Sequence, residues 1–146
     1  DLLCHRHGLD CGPVVNRDAY TGQITDEIYF RLLHEADIAH EVRYSNVHFT
    51  LAGRAIEAAS GKKWQDFLAE RGFEPAGMTR TTAYASEMYG KLEHAEPMLR
   101  IDGKWRRSPL VKTDRTMHAA GGMGTTVRGA ARWLILNLNR GEIGGR

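Results

Sequence analysis

The chain has 146 residues, 42% apolar and 26% charged, which fits one domain or a piece of one and argues against intrinsic disorder. Its 20 basic and 18 acidic residues leave a net charge of +2, too balanced to imply a nucleic-acid partner. Two cysteines rule out a disulfide scaffold, and no window approaches the ~18 consecutive apolar residues of a membrane span.

Residues 1–16, rich in Gly, Pro, His and Cys, are expected to be irregular. An amphipathic helix is predicted over Ile24–Ala36, capped by Thr25 or Asp26, with Ile28, Leu32, Tyr29 and Leu33 turned inward. The clearest helix follows Tyr44-Ser45-Asn46. It runs from Val47 to Ser60, with Phe49, Ala52, Ile56 and Ala59 as its inward stripe, Ser45 or Asn46 as cap and Gly61 as left-handed stop. A shorter helix is predicted over Trp64–Arg71, closed by a Pro/Gly turn at 73–78. Signals from Tyr84 to Val111 are mixed, apart from a tight turn in Ile101-Asp102-Gly103-Lys104-Trp105 between two extended runs. After a Gly-rich loop at 119–124, Thr125 or Thr126 caps a last helix, with Val127, Ala131, Leu134 and Leu138 on the inward face and Gly141 as its stop.

Two local patterns invite a chemical reading and fail it. Cys4, His5, His7 and Cys11 lie within eight residues, but the spacing matches none of the usual structural zinc patterns. A polar loop is expected there, and no metal or cofactor. Ser60-Gly61-Lys62-Lys63 has the Ser-x-x-Lys form of a nucleophile. That motif must open a helix, so that the serine meets helix N-terminal amides and the lysine lies one turn on. Ser60 closes one instead and reads as a helix terminator. A tyrosine at a helix entrance, such as Tyr44, is by itself an ordinary anchor.

Three stretches taken together resemble the serine β-lactamase and penicillin-binding-protein-like family related to class C β-lactamases. Asp1-Leu2-Leu3-Cys4-His5-Arg6-His7-Gly8-Leu9 is similar to the family's "LLSHRTGL" run. Residues 43–61, continuing to Met78 and Thr79, resemble its Tyr-Ser-Asn block, and residues 117–139 its "AAGG" block. The resemblance implies an α+β parent of the β-lactamase/transpeptidase type, in which a mixed sheet accompanies a largely helical region. Residues 1–146 are expected to be one partial domain, the interior and mostly helical portion. There is no initiator Met or apolar signal core, and both edges read as cuts.

Carried onto matching positions, the resemblance makes Tyr44 the catalytic general base and acid for a serine outside this stretch, and Asn46 a substrate-binding residue. A phenol is a poor base at neutral pH unless cations and a helix N-terminus favour its ionised form. The sequence departs from the family pattern at Cys4 (usually Ser), His7 (Thr), His48 (Gly), Ala76 (Leu) and Gly129 (Asp). His48 is expected on the helix surface; the other reading is an imidazole that titrates near the site and alters substrate choice.

The implied function is acyl-serine hydrolysis of a small-molecule acyl substrate: a β-lactam, a D-alanyl peptide or an ester. The stretch alone is expected to be inactive, docked on the remaining part of the parent domain or self-associating through apolar helix faces. The alternative is a binding or sensing module of the same fold that has lost its chemistry. A nucleic-acid role for Arg100, Lys104, Arg106, Arg107 and Lys112 is disfavoured, because no recognition helix accompanies them.

Overall fold

The computed structural model describes residues 1–9, 12–38, 41–91 and 93–143. Its elements in order are α1 (Gly12–Thr21), α2 (Asp26–His34), α3 (Asn46–Ser60), α4 (Trp64–Leu68), α5 (Ala85–Lys91), β1 (Met98–Ile101), β2 (Lys104–Arg107) and α6 (Val127–Leu138), with a wide π turn over Ala69–Phe73 continuing α4. The fold is mostly helical with one small antiparallel hairpin. Among the described residues, no helix is long and apolar enough to cross a membrane.

Local signals account for most boundaries. Thr25 caps α2 by accepting the Ile28 N–H (3.3 Å), and Ser45 caps α3 by accepting the Val47 N–H (3.3 Å). Gly61 ends α3 at φ 69°, and its N–H returns to the Glu57 carbonyl (2.9 Å). In the hairpin, Asp102 (φ 49°) and Gly103 (φ 75°) form the two-residue turn that pairs Ile101 with Lys104. The irregular stretch expected over residues 1–16 is corrected: α1 already begins at Gly12, with Pro13 in its first turn, where a missing N–H costs nothing. Helix α5 also emerges from the stretch of mixed signals.

Two apolar clusters hold these pieces. Leu9, Tyr29 and Val47 form one, with Val14, Ile24, Leu33, Ala36 and Leu51 packed around it. Phe73, Ala76, Met78 and Ala83 form the other, flanked by Trp64, Leu68, Ala69 and Ile143. The first cluster pins the start of α3, because Val47 is completely buried. Tyr29 is the buried residue of α2, whereas Ile28, Leu32 and Leu33 are half-buried.

Two predicted inward faces are turned otherwise. On α3 the buried residues are Val47, His48, Thr50 and Gly53, while Phe49 and Ala52 are half-buried and Ile56 and Ala59 exposed. The apolar stripe of α3 borders an open groove with Leu3, Phe67 and Leu68, and the buried side carries small or polar residues that allow close packing. Gly53 shows why: a Cβ there would lie 2.8 Å from the Ala119 Cβ. On α6 the expected inward residues are exposed, Val127 at 88% and Leu138 at 83%, and Gly129 is the buried residue. Among the described residues, α6 packs through its first turn onto the Thr81–Thr125 hydroxyl pair rather than along its apolar stripe.

Candidate active site

The start of α3 is the natural place to look for chemistry. Ser45 is extended (φ −147°, ψ 135°) and its hydroxyl closes the first turn, so Tyr44 is held just outside the helix entrance. The Tyr44 ring is 69% exposed, which leaves its hydroxyl accessible. That hydroxyl donates to Oδ1 of Asn46 at 2.9 Å. The two residues singled out in the sequence are therefore neighbours through a direct hydrogen bond. Asn46 is the first residue of α3 and half-buried, and its carbonyl accepts from the Thr50 hydroxyl (3.1 Å).

The N-terminal segment reaches this entrance through His5, a residue that the sequence reading weighed only as a metal ligand. The His5 carbonyl accepts the Arg43 N–H (3.2 Å), and its Nδ1 accepts the Ser45 N–H (3.4 Å). Its ring lies 4.6 Å from the Tyr44 ring and 5.0 Å from Phe49, centroid to centroid. Its Nδ1 also faces Nδ1 of His48 at 3.0 Å.

His48 is not on the helix surface as expected; it is wholly buried. Its side of α3 faces the N-terminal segment, where the His5 and His7 rings lie 5.2 and 6.1 Å away. Burial pushes the His48 imidazole below its ordinary value, and charge on His5 and His7 pushes it the same way, against a smaller opposing pull from the Leu9 carbonyl. The available sequence signal for His5 was its place in the first resembled run.

The other candidates resolve into structure. Ser60 ends α3, its hydroxyl donating to the Ile56 carbonyl (2.7 Å) and accepting the Lys62 N–H (3.2 Å). Lys62 pairs with Glu70, and Lys63 precedes α4. Cys4 is exposed, Cys11 lies outside the described residues, and among the described residues no three His, Cys, Asp or Glu side chains group to hold a metal ion. The basic hairpin residues are exposed, with Arg107 paired to Glu96 at 2.8 Å.

A second tyrosine is tied to a carboxylate instead of an amide. The Tyr84 hydroxyl donates to Asp66 Oδ1 at 2.6 Å, and its pKa is pushed up to about 12, first by burial and then by that bond and by the charge of Asp66. It is a locked donor, unsuited to accept a proton. A charged cleft of about 650 Å³, lined by Arg54, Glu57, Lys63, Asp114, Arg115 and His118 among others, lies further along α3. Next to it, His118 Nε2 and Asp18 Oδ2 meet at 2.8 Å. Burial holds the His118 imidazole below its usual range against the opposing pull of Asp18.

The Beta-lactamase family matches residues 1–146. No curated protein matches. Among solved structures, the octameric penicillin-binding protein homologue from Pyrococcus abyssi superposes with a TM-score of 0.77 at 22% identity, over 97% of this chain and 34% of that one. The D-amino acid amidase from Ochrobactrum anthropi SV3, complexed with L-phenylalanine amide, gives 0.71 at 27% identity over 96% of this chain and 43% of that one. A D-stereospecific amidohydrolase from Streptomyces sp. gives 0.71 at 19% identity, over 94% and 45%. The chain thus spans less than half the length of each of these proteins.

Proposed function

The chain belongs to the Beta-lactamase family, and from that premise we propose that the full-length protein carrying it is a serine acyl hydrolase with Tyr44 as its proton shuttle. The observation that carries this reading is the exposed Tyr44 hydroxyl, fixed at the entrance of α3 by Asn46 at 2.9 Å. A serine from outside these residues attacks the acyl carbonyl. The ionised Tyr44 oxygen takes the serine proton as the new C–O bond forms, and returns it to the leaving amine or alkoxide as the old bond breaks. Water repeats the exchange to release the acid. In the structure the Tyr44 hydroxyl is engaged with Asn46 Oδ1. Asn46 still has its amide N–H groups to offer the acyl group, which orients the carbonyl for attack.

The substrate class we favour is an amide of a D-amino acid, because the amidase is the most identical of the three similar structures. β-Lactams, D-alanyl peptides and esters share the same acyl-serine route. The exposed stripe of α6 supports docking of this segment on the remaining part of its domain, or self-association.

The test is turnover of D- and L-phenylalanine amide, nitrocefin and a p-nitrophenyl ester by the full-length protein, alongside labelling by a fluorescent fluorophosphonate. Labelling with turnover of the D-amide ahead of the L-amide is expected, and none from the 146-residue chain alone. A folded full-length protein that neither labels nor turns over any of these substrates is instead a binding module of the same fold.

A further inference from the structure

His5 grips both sides of Tyr44. Its carbonyl takes the amide of Arg43 and its Nδ1 takes the amide of Ser45, while its ring packs on the phenol ring between them. It does so from a left-handed backbone (φ 56°), which disfavours a side-chain-bearing residue and persists where surrounding contacts over-determine it. Those contacts include His48, whose imidazole is buried behind His5 at a position where the resembled family pattern has glycine.

We propose that His5 is a positioning residue for Tyr44, braced from behind by the buried His48. The inference rests on the reading of Tyr44 as the proton shuttle. Nδ1 of His5 takes the Ser45 N–H and meets Nδ1 of His48 at 3.0 Å, so the same ring edge touches the backbone beside the phenol and the buried imidazole behind it. His7 on the N-terminal segment, Arg43 and Tyr44 before the α3 entrance, Phe49 and the Leu9 carbonyl stand around the pair.

The consequence is that losing the His5 grip lowers the rate of the chemical step rather than substrate binding. His5→Asn is the informative substitution. Asparagine tolerates the left-handed backbone, places an acceptor oxygen near the Nδ1 position, and does not titrate. In the full-length protein, measured with D-phenylalanine p-nitroanilide and by the rate of fluorophosphonate labelling, His5→Asn is expected to keep most of kcat. His5→Leu is expected to lower kcat roughly 10- to 100-fold with KM nearly unchanged, the signature of a misplaced catalytic group.

A folded His5→Leu protein with wild-type kcat overturns the proposal, as does a His5→Asn protein no more active than His5→Leu. If His5→Leu does not fold, His5→Gly, which accepts the left-handed backbone and removes the ring, takes its place. Tyr44→Phe separates the two readings. Full activity there removes the shuttle, and this inference with it; inactivity there beside an unaffected His5→Leu removes only the clamp. A wild-type protein inert to both reagents overturns both.

Discussion

Restoring aspartate at position 129 sets a favourable charge against an occupied space. Aspartate in the first turn of α6 would gain about 0.3–1 kcal/mol from the helix dipole, and replacing a helical glycine adds a few tenths more. The space is already taken. A Cβ on residue 129 would overlap the Thr125 hydroxyl and lie 2.8 Å from the Thr81 hydroxyl. Those hydroxyls bond to each other at 2.7 Å, and the Gly129 N–H is already held by the Thr126 cap at 3.2 Å. Overpacking costs about 1–3 kcal/mol and the lost hydroxyl bond about 0.5–1.5 kcal/mol. The balance predicts that Gly129→Asp destabilises the full-length protein by about 1–2 kcal/mol, read as a lower urea midpoint with unchanged slope. Gly129→Ala adds the smaller side chain and recovers about 1 kcal/mol of helix propensity, so it should be destabilised no more than Gly129→Asp. Adding Thr125→Ala to Gly129→Asp should recover part of the loss, as expected for coupled neighbours. Wild-type or higher stability in Gly129→Asp would refute the steric reasoning.

Two further outcomes are expected. The folded-state pKa values of His48 and His118 both lie below the ordinary 6.5, so between those lowered values and 6.5 the unfolded chain binds more protons than the folded one. Stability therefore rises with pH across that window and is lost as the pH falls below 6.5. Urea midpoints across the window should show the slope, and His48→Gly should reduce it; a flat profile contradicts the burial argument. Asn46→Ala removes one neutral hydrogen bond to substrate and the partner of the resting phenol, and should lower kcat/KM about 3- to 10-fold. Unchanged kcat/KM would remove Asn46 from the site.

The legible parts of this fold are those written in adjacent residues. Ser45 and Gly61 bracket α3 because capping is a local bargain between a side chain, a glycine and the nearest amides. The Asp102-Gly103 turn is equally local. Burial was not legible in the same way. Periodicity tells which residues share a face of a helix but not which face gets covered, and α3 buries Val47, Thr50 and Gly53 beside a stripe richer in apolar residues. The same limit applies to α6, whose stripe faces outward among the described residues. Tyr44 and Asn46 were found by motif, two positions apart. His5 reaches the same place across 43 residues from His48, and only the path of the chain between them brings it there.

The most direct test of the central claim is the acylation rate of Tyr44→Phe in the full-length protein, measured in a single turnover so that binding and product release do not intervene. Loss of a general base predicts a fall of roughly 10²- to 10⁴-fold, with the fold intact by circular dichroism and substrate still bound. Acylation at the wild-type rate would show that the serine gives up its proton elsewhere, leaving the phenol at the entrance of α3 as an anchor.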